Sequence, residues 1–333
     1  MKKEMESKNN VTLEKVFSLL CASPSWVILT HQKPDGDAVG SASSLAAYGM
    51  ENGKKIRWGG GNPLPPTYSF LPLSGTYEVF NRAEDLLPLS KDTLIISLDT
   101  SNIERSIPEL EKIHNDAQII NIDHHGDNTL YGDYNYIDEN ASSLGEILWH
   151  MFHLCNASYS CNSAIGLYTA IVTDSGKFSF SSTSPRTHEA AAELIKKGVL
   201  PAEISHKIFY NQPIESMKLW GKAFERVELA GHSKISISWL TLEDFLQLNS
   251  SPADTEGLVN ELLRVKDVEF AILLVEEEDQ IRISLRSRGV ISARDIAHRF
   301  EGGGHMQAAG CRIEAPLSQA IQIITKAVEE AMQ

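Results

Sequence analysis

The chain has 333 residues, room for two domains at roughly 100–200 residues each, and its 42% hydrophobic and 22% charged content is that of a folded globular protein. A net charge of −14 speaks against a protein held on long nucleic acid by a broad basic surface, but leaves room for a small phosphate substrate if cations or a local basic patch supply positive charge. No apolar run reaches the ~18 residues of a membrane span, and the polar start MKKEMESKNN has no apolar stretch behind it; a cytoplasmic protein without membrane contact is expected.

The first strong element is SWVILT (25–30), a short apolar, β-branched run that reads as a buried strand. A polar turn follows, then small and apolar residues from Ala38 to Met50 that read as a helix, with Gly53 as its stop. Strands are expected at 54–58, 93–98 and 117–122, and helices at 142–155, 161–173, 186–197 and 215–230. Beyond residue 232, strands at 236–239, 268–276 and 281–287 mix with helices near 254–265, 291–299 and 316–331. The four cysteines, Cys21, Cys155, Cys161 and Cys311, show no metal-ligand spacing and are expected to be buried, reduced thiols. Strands alternating with helices predict an α/β fold: a doubly wound, mostly parallel N-terminal sheet, followed by a smaller C-terminal α/β domain.

Three of these strands run into polar clusters. The first leads to His31, Asp35 and Asp37, the strand at 93–98 to Asp99, and the strand at 117–122 to Asp123, His124 and His125; Asp174 ends the helix after 161. In a parallel sheet the carboxyl ends of the strands gather on one edge, where ligands bind. Singly, Asp35-Gly36-Asp37 is an ordinary turn, and Asp99 or Asp174 an ordinary helix cap. Together they pose a charge problem, because converging carboxylates raise one another's pKa and destabilise the fold. Divalent cations remove the problem. Mixed carboxylate and imidazole donors suit manganese, iron, cobalt or zinc better than calcium, and so many donors suit two ions sharing a carboxylate. Two such ions support phosphoryl hydrolysis by a metal-activated hydroxide, with no serine or cysteine nucleophile.

These residues resemble the motifs of the DHH phosphoesterase family. The run His31-Gln32-Lys33-Pro34-Asp35-Gly36-Asp37-Ala38-Val39-Gly40-Ser41 resembles the first motif, Asp99 the second and Asp123-His124-His125 the third; Tyr168-Thr169-Ala170-Ile171-Val172-Thr173-Asp174-Ser175-Gly176 resembles the fourth. Gly302-Gly303-Gly304-His305 with Ala308-Ala309-Gly310 resembles the glycine-rich signature of the DHH-associated C-terminal domain. The resemblance implies a DHH catalytic domain over 1–190, a helical linker over 191–231 and a DHH-associated substrate-binding domain over 232–333. It implies two divalent cations, manganese by family habit: one on His31, Asp35 and Asp99, the other on Asp37, Asp99, His124 and Asp174, with Asp99 bridging. Asp123 would orient a histidine ligand from behind, and His125 would face the substrate phosphate. Arg286, Gly303, Gly304 and His305 would hold the rest of the substrate. Lys177 stands where a smaller or neutral residue is expected.

The region 281–312 holds six arginines (Arg282, Arg286, Arg288, Arg294, Arg299 and Arg312) against two acidic residues, a basic island in an acidic chain. Strand alternation puts Arg282, Ser284 and Arg286 on one face, and guanidinium forks suit phosphate oxygens. The compact two-domain layout resembles the oligoribonuclease and 3′-phosphoadenosine 5′-phosphate (pAp) phosphatase group, with small nucleotides or short oligonucleotides as substrates. Hydrolysis of cyclic di-AMP or of its linear product pApA is the alternative. A pyrophosphate or polyphosphate hydrolase and a non-catalytic nucleotide sensor stand further off.

Overall fold

The computed structural model describes residues 10–113 and 117–332. The polar start MKKEMESKNN lies largely outside them. The chain divides into two compact units, one ending at Tyr210 and the other beginning at Asn211.

The first unit contains α1 (Leu13–Ala22), β1 (Ser25–Leu29), α2 (Gly36–Glu51), β2 (Lys55–Gly60), β3 (Tyr77–Val79), β4 (Thr93–Leu98), β5 (Gln118–Asp123), β6 (Tyr134–Ile137), α3 (Leu144–Leu154), α4 (Cys161–Asp174), α5 (Pro185–Lys196) and α6 (Pro201–Phe209). The six strands form one parallel sheet in the order β3-β2-β1-β4-β5-β6. Central strands are apolar throughout because both faces are covered. Trp26 and Ile28 face one core with α1 to α6, while Val27, Leu29, Ile95 and Ile119 face another. That second core is closed by Phe80, Leu86, Ile107, Leu110 and Ile113, which lie in loops and short 3-10 turns. The strand order reverses between β1 and β4, so loops leaving these two neighbours diverge and open a crevice at their carboxyl ends.

Helix α2 is buried on every side from Gly36 to Gly49. Its small residues permit this. A Cβ on Gly40 would lie 2.6 Å from the Gly166 carbonyl oxygen, and one on Gly166 would lie 2.5 Å from the Gly40 carbonyl oxygen. Side chains larger than hydrogen would force α2 and α4 apart.

The second unit contains α7 (Ile214–Glu225), β7 (Glu228–Ala230), β8 (Ile235–Leu240), α8 (Leu242–Leu248), α9 (Leu258–Leu262), β9 (Phe270–Glu276), β10 (Ile281–Ser287), α10 (Ala293–His298), β11 (Gly303–Gly304), β12 (Ala308–Ile313) and α11 (Leu317–Ala331). Its sheet, β11-β12-β10-β9-β8-β7, is mixed: β8 and β9 run parallel and the other pairs antiparallel. One face packs on α10 and α11, the other on α7, α8 and α9.

Several sequence expectations shift. Residues 191–231, expected as a linker, are divided between the units. Ala191, Leu194, Ile204 and Ile208 belong to the first core, whereas Leu219 and Ala223 belong to a core of the second. The helix expected over 215–230 stops at Glu225, and the chain then forms β7. Cys21 and Cys161 are exposed and Cys155 is half-buried; Cys311 is buried, and all four are free. No helix among the described residues is long and apolar enough to cross a membrane.

Candidate active site

The carboxyl end of β1 continues through Thr30 to His31, and Asp35 caps the start of α2 by accepting from the backbone N–H groups of Asp37 and Ala38, each at 3.1 Å. That turn aims the Asp37 carboxylate at a second helix. Its Oδ2 accepts from Leu144 N–H at 2.7 Å and its Oδ1 from Gly145 N–H at 3.0 Å, both at the N-terminus of α3. An anion there satisfies orphan donors and complements the helix dipole. Asp174 ends α4. A carboxylate at the negative end of a helix dipole is unfavourable unless a cation offsets it.

Asp99 follows β4 with a backbone φ of 55°, a left-handed conformation uncommon outside glycine. It is buried, and its Oδ2 lies 3.6 Å from His31 Nε2. Its Oδ1 lies 3.5 Å from both His124 Nε2 and His125 Nδ1. Yet that Oδ1 accepts no hydrogen bond among the described residues. A buried carboxylate oxygen without a donor is costly, and a cation is the natural partner for it.

The imidazoles are presented to suit this. His31 Nδ1 lies 2.8 Å from the Gln32 carbonyl oxygen and His124 Nδ1 lies 3.3 Å from that of Ala141. A carbonyl can only accept, so these contacts place the proton on Nδ1 and the lone pair on Nε2. His31 Nε2 faces Asp35 at 3.8 Å and Asp99. His124 Nε2 faces Asp37 at 3.6 Å and Asp174 at 3.5 Å, as well as Asp99. These separations exceed a hydrogen bond, and in each of the groups His31–Asp35–Asp99 and Asp37–His124–Asp174 the donor atoms lie within 4.8 Å of one another. Asp99, a member of the first group, also faces His124 of the second at 3.5 Å. The donor set therefore fits two divalent cations.

The charges tell the same story. Burial, reinforced by Asp99 and Asp174, pushes the Asp37 carboxyl well above its usual range. Burial also lifts Asp174, to about 7, with Asp35 and Asp99 adding to it. For Asp99 burial acts upward too, but His124, His125 and His31 outweigh it and hold the carboxyl well below normal. His31 is opposed by burial and carried up to about 9 by Asp35 and Asp99. The protein alone thus leaves protons where cations would neutralise the cluster better.

Asp123 differs from its expected role. Its Oδ1 accepts from the backbone N–H groups of His124 (2.7 Å) and His125 (3.3 Å), and lies 2.7 Å from His125 Nδ1. The imidazole it orients is that of His125, whereas His124 is oriented by a backbone carbonyl. Burial opposes protonation of His125, but Asp123 and Asp99 outweigh it and raise its pKa. Asn128 donates to Asp123 Oδ2 at 2.6 Å and to Asn121 Oδ1 at 2.8 Å. Neither asparagine was singled out from the sequence; Asn121 is a polar residue inside an apolar strand, and that was the available signal. Lys177 sits with its Nζ 4.2 Å from the centre of the Phe209 ring, a cation–π contact.

In the second unit, β10 alternates as expected, with Ile281, Ile283 and Leu285 inward and Arg282, Ser284 and Arg286 half-buried on the other face. Arg282 is committed to Thr255 (2.9 Å) and Glu277 (3.3 Å). Arg288 donates to the Val268 and Leu263 carbonyls, and Arg299 to that of Ala327. Much of the basic island therefore serves the fold. Arg286 is held by Asn260 Oδ1 at 2.8 Å. Gly303 and Gly304 pair with Gly310 and Ala309, and His305 N–H closes the following turn on the Ala308 carbonyl at 2.7 Å. Gly304 has φ of 136°, and a Cβ there would lie 2.5 Å from the Ala308 carbonyl oxygen, so this position requires glycine.

Residues 25–174 match the DHH family, N-terminal domain, and residues 235–333 match the DHHA1 domain. The bifunctional oligoribonuclease and PAP phosphatase NrnA of Bacillus subtilis is 30% identical over 86% of this chain and 88% of its own. The enzyme of the same name from Thermus thermophilus is 28% identical over 92% of this chain and 89% of its own. A crystal structure of an exopolyphosphatase-related protein from Bacteroides fragilis superposes with a TM-score of 0.87 at 25% identity, covering 96% of this chain and 95% of that one. With its motifs in family order on the expected strands and helices, the chain belongs to the DHH family, with a DHH domain followed by a DHHA1 domain.

Proposed function

We propose that this protein is a cation-dependent phosphoesterase that hydrolyses short oligoribonucleotides and pAp. It is a hydrolase of phosphoester bonds, as its family membership and its NrnA relatives support. The observation that carries the reading is Asp99: buried, strained, faced by three imidazoles, and with one oxygen that accepts no hydrogen bond among the described residues.

His31, Asp35 and Asp99 would hold one divalent cation, and Asp37, Asp99, His124 and Asp174 the other, manganese being the metal implied by resemblance. When bound, such a pair supplies Lewis acidity toward phosphate oxygens and lowers the pKa of water. The chain does the rest. The carbonyls of Gln32 and Ala141 keep His31 and His124 in the donor tautomer. Asp123 fixes the His125 ring and favours its protonated form, so that Nε2 can donate to a phosphate oxygen as charge builds there. Arg286, Gly303, Gly304 and His305 of the second unit are suited to a nucleotide: a guanidinium for a phosphate, and a glycine backbone that admits close approach. A site that grips one terminal nucleotide favours short substrates over long nucleic acid.

The test is a substrate panel with manganese and an EDTA control: pAp, a short RNA, pApA, cyclic di-AMP and pyrophosphate. Mononucleotide release from pAp and short RNA, abolished by EDTA, is expected. Turnover confined to cyclic di-AMP or pApA would move the assignment to second-messenger hydrolysis. Turnover of pyrophosphate alone would overturn nucleotide recognition, and binding without turnover would make the protein a sensor.

A further inference from the structure

Glu146 has no exposed side-chain surface, although it is a carboxylate in the first turn of α3. Burying such a charge costs several kcal/mol unless it is paired and hydrogen-bonded. Here it is both. Its Oε2 accepts from Ser142 Oγ and Thr187 Oγ1, each at 2.6 Å, and from Ser142 N–H at 3.3 Å. Its Oε1 accepts from Arg186 Nε, and Arg186 Nη2 reaches Asp138 at 2.8 Å. The network ties together the start of α3, the start of α5 and the loop 138–143.

Those are the segments that grip one candidate cation position. Leu144 and Gly145, two and one residues before Glu146, donate to Asp37. Ala141, next to Ser142, provides the carbonyl that sets the His124 tautomer. Among the described residues, no contact of the network reaches His31 or Asp35 directly. We propose that Glu146, Arg186 and Asp138 are positioning residues that set cation affinity at the Asp37–His124–Asp174 position and leave the His31–Asp35–Asp99 position largely unaffected. The proposal rests on the reading of Asp37 and His124 as cation ligands.

The experiment is calorimetric titration of the full chain with Mn2+, for wild type, Arg186→Met, Glu146→Gln and Asp37→Asn, with folding checked by circular dichroism. Wild type should bind two ions. Arg186→Met and Glu146→Gln should lose about 10–100-fold in affinity for one ion only, the usual effect of removing a group that orients a ligand. Arg186→Lys, which keeps the charge but not the fork, should recover part of the loss. Unchanged affinity for both ions in folded Arg186→Met would overturn the proposal. So would an equal loss for both, which is the mark of general loosening. Should Glu146→Gln fail to fold, Arg186→Met and Arg186→Lys still decide the matter. Asp37→Asn separates the two levels: if it leaves both ions bound as in wild type, the ligand assignment itself is at fault.

Discussion

A carboxylate that is buried, left-handed in its backbone and faced by three imidazoles can lower its energy by sharing protons or by sharing cations. Asp99 is in that position, and the two options compete. In the cation-free site His31 holds its proton up to about pH 9 and Asp174 up to about 7, so cation binding must expel protons from both. The sign follows: affinity for Mn2+ rises as pH passes through about 7 and on toward about 9. Calorimetric titrations across that window check it, and a pH-independent affinity would contradict it. Asp99→Ala removes a donor that faces histidines of both groups, and turnover should fall by more than the ~100-fold that an orienting partner is worth. His125→Ala should behave differently: two cations still bind, but kcat drops about 100–1,000-fold, the cost of one donor to developing charge. Metal stoichiometry measured beside steady-state kinetics separates the two variants.

At the scale of elements, the site depends on how closely α2 and α4 approach, since one carries Asp37 and the other Asp174. Gly166→Ala would place a methyl 2.5 Å from the Gly40 carbonyl oxygen, which is backbone and cannot swing away. Alanine gains up to ~1 kcal/mol in helix propensity, but overpacking costs about 1–3 kcal/mol. A net loss of stability is expected in urea unfolding, together with weaker Mn2+ binding; a more stable variant with intact binding would show that the crossing has slack. These elements were unequally legible in the sequence. β1, β4 and β5 are continuous apolar runs ending in acidic or histidine residues, and both the strands and their polar ends were readable. The start of α2 reads two residues late, because Asp35 and Asp37 look like a turn until the helix they cap is seen. The short β3, β6 and β7 lack periodicity, and β12, in the small-residue stretch after the glycine run, does not look like a strand. The network of Glu146 and Arg186 could not be read at all, since it joins residues 40 apart through tertiary contact. Asp123 shows the same limit: adjacency to two histidines does not reveal which one its carboxylate holds.

At the scale of the whole molecule, net charge −14 coexists with a phosphate chemistry because the counter-charge is local. In the first unit the proposed cations would supply it, and in the second a few arginines, most of them engaged in holding the fold. Cations that bind only the folded chain should therefore stabilise it. Each site contributes about 2.7 kcal/mol at 100 times its Kd, and melting temperature should rise with Mn2+ and fall back with EDTA. The same reasoning explains why composition could not name the substrate: the residues proposed to choose it, Arg286, Gly303, Gly304 and His305, are placed by the second sheet.

The two-cation centre is the central claim, and anomalous diffraction from crystals grown with Mn2+ tests it most directly. Two peaks in the first unit are predicted, one among His31, Asp35 and Asp99, the other among Asp37, Asp99, His124 and Asp174, with Asp99 common to both. A single peak, or peaks away from Asp99, would contradict the account.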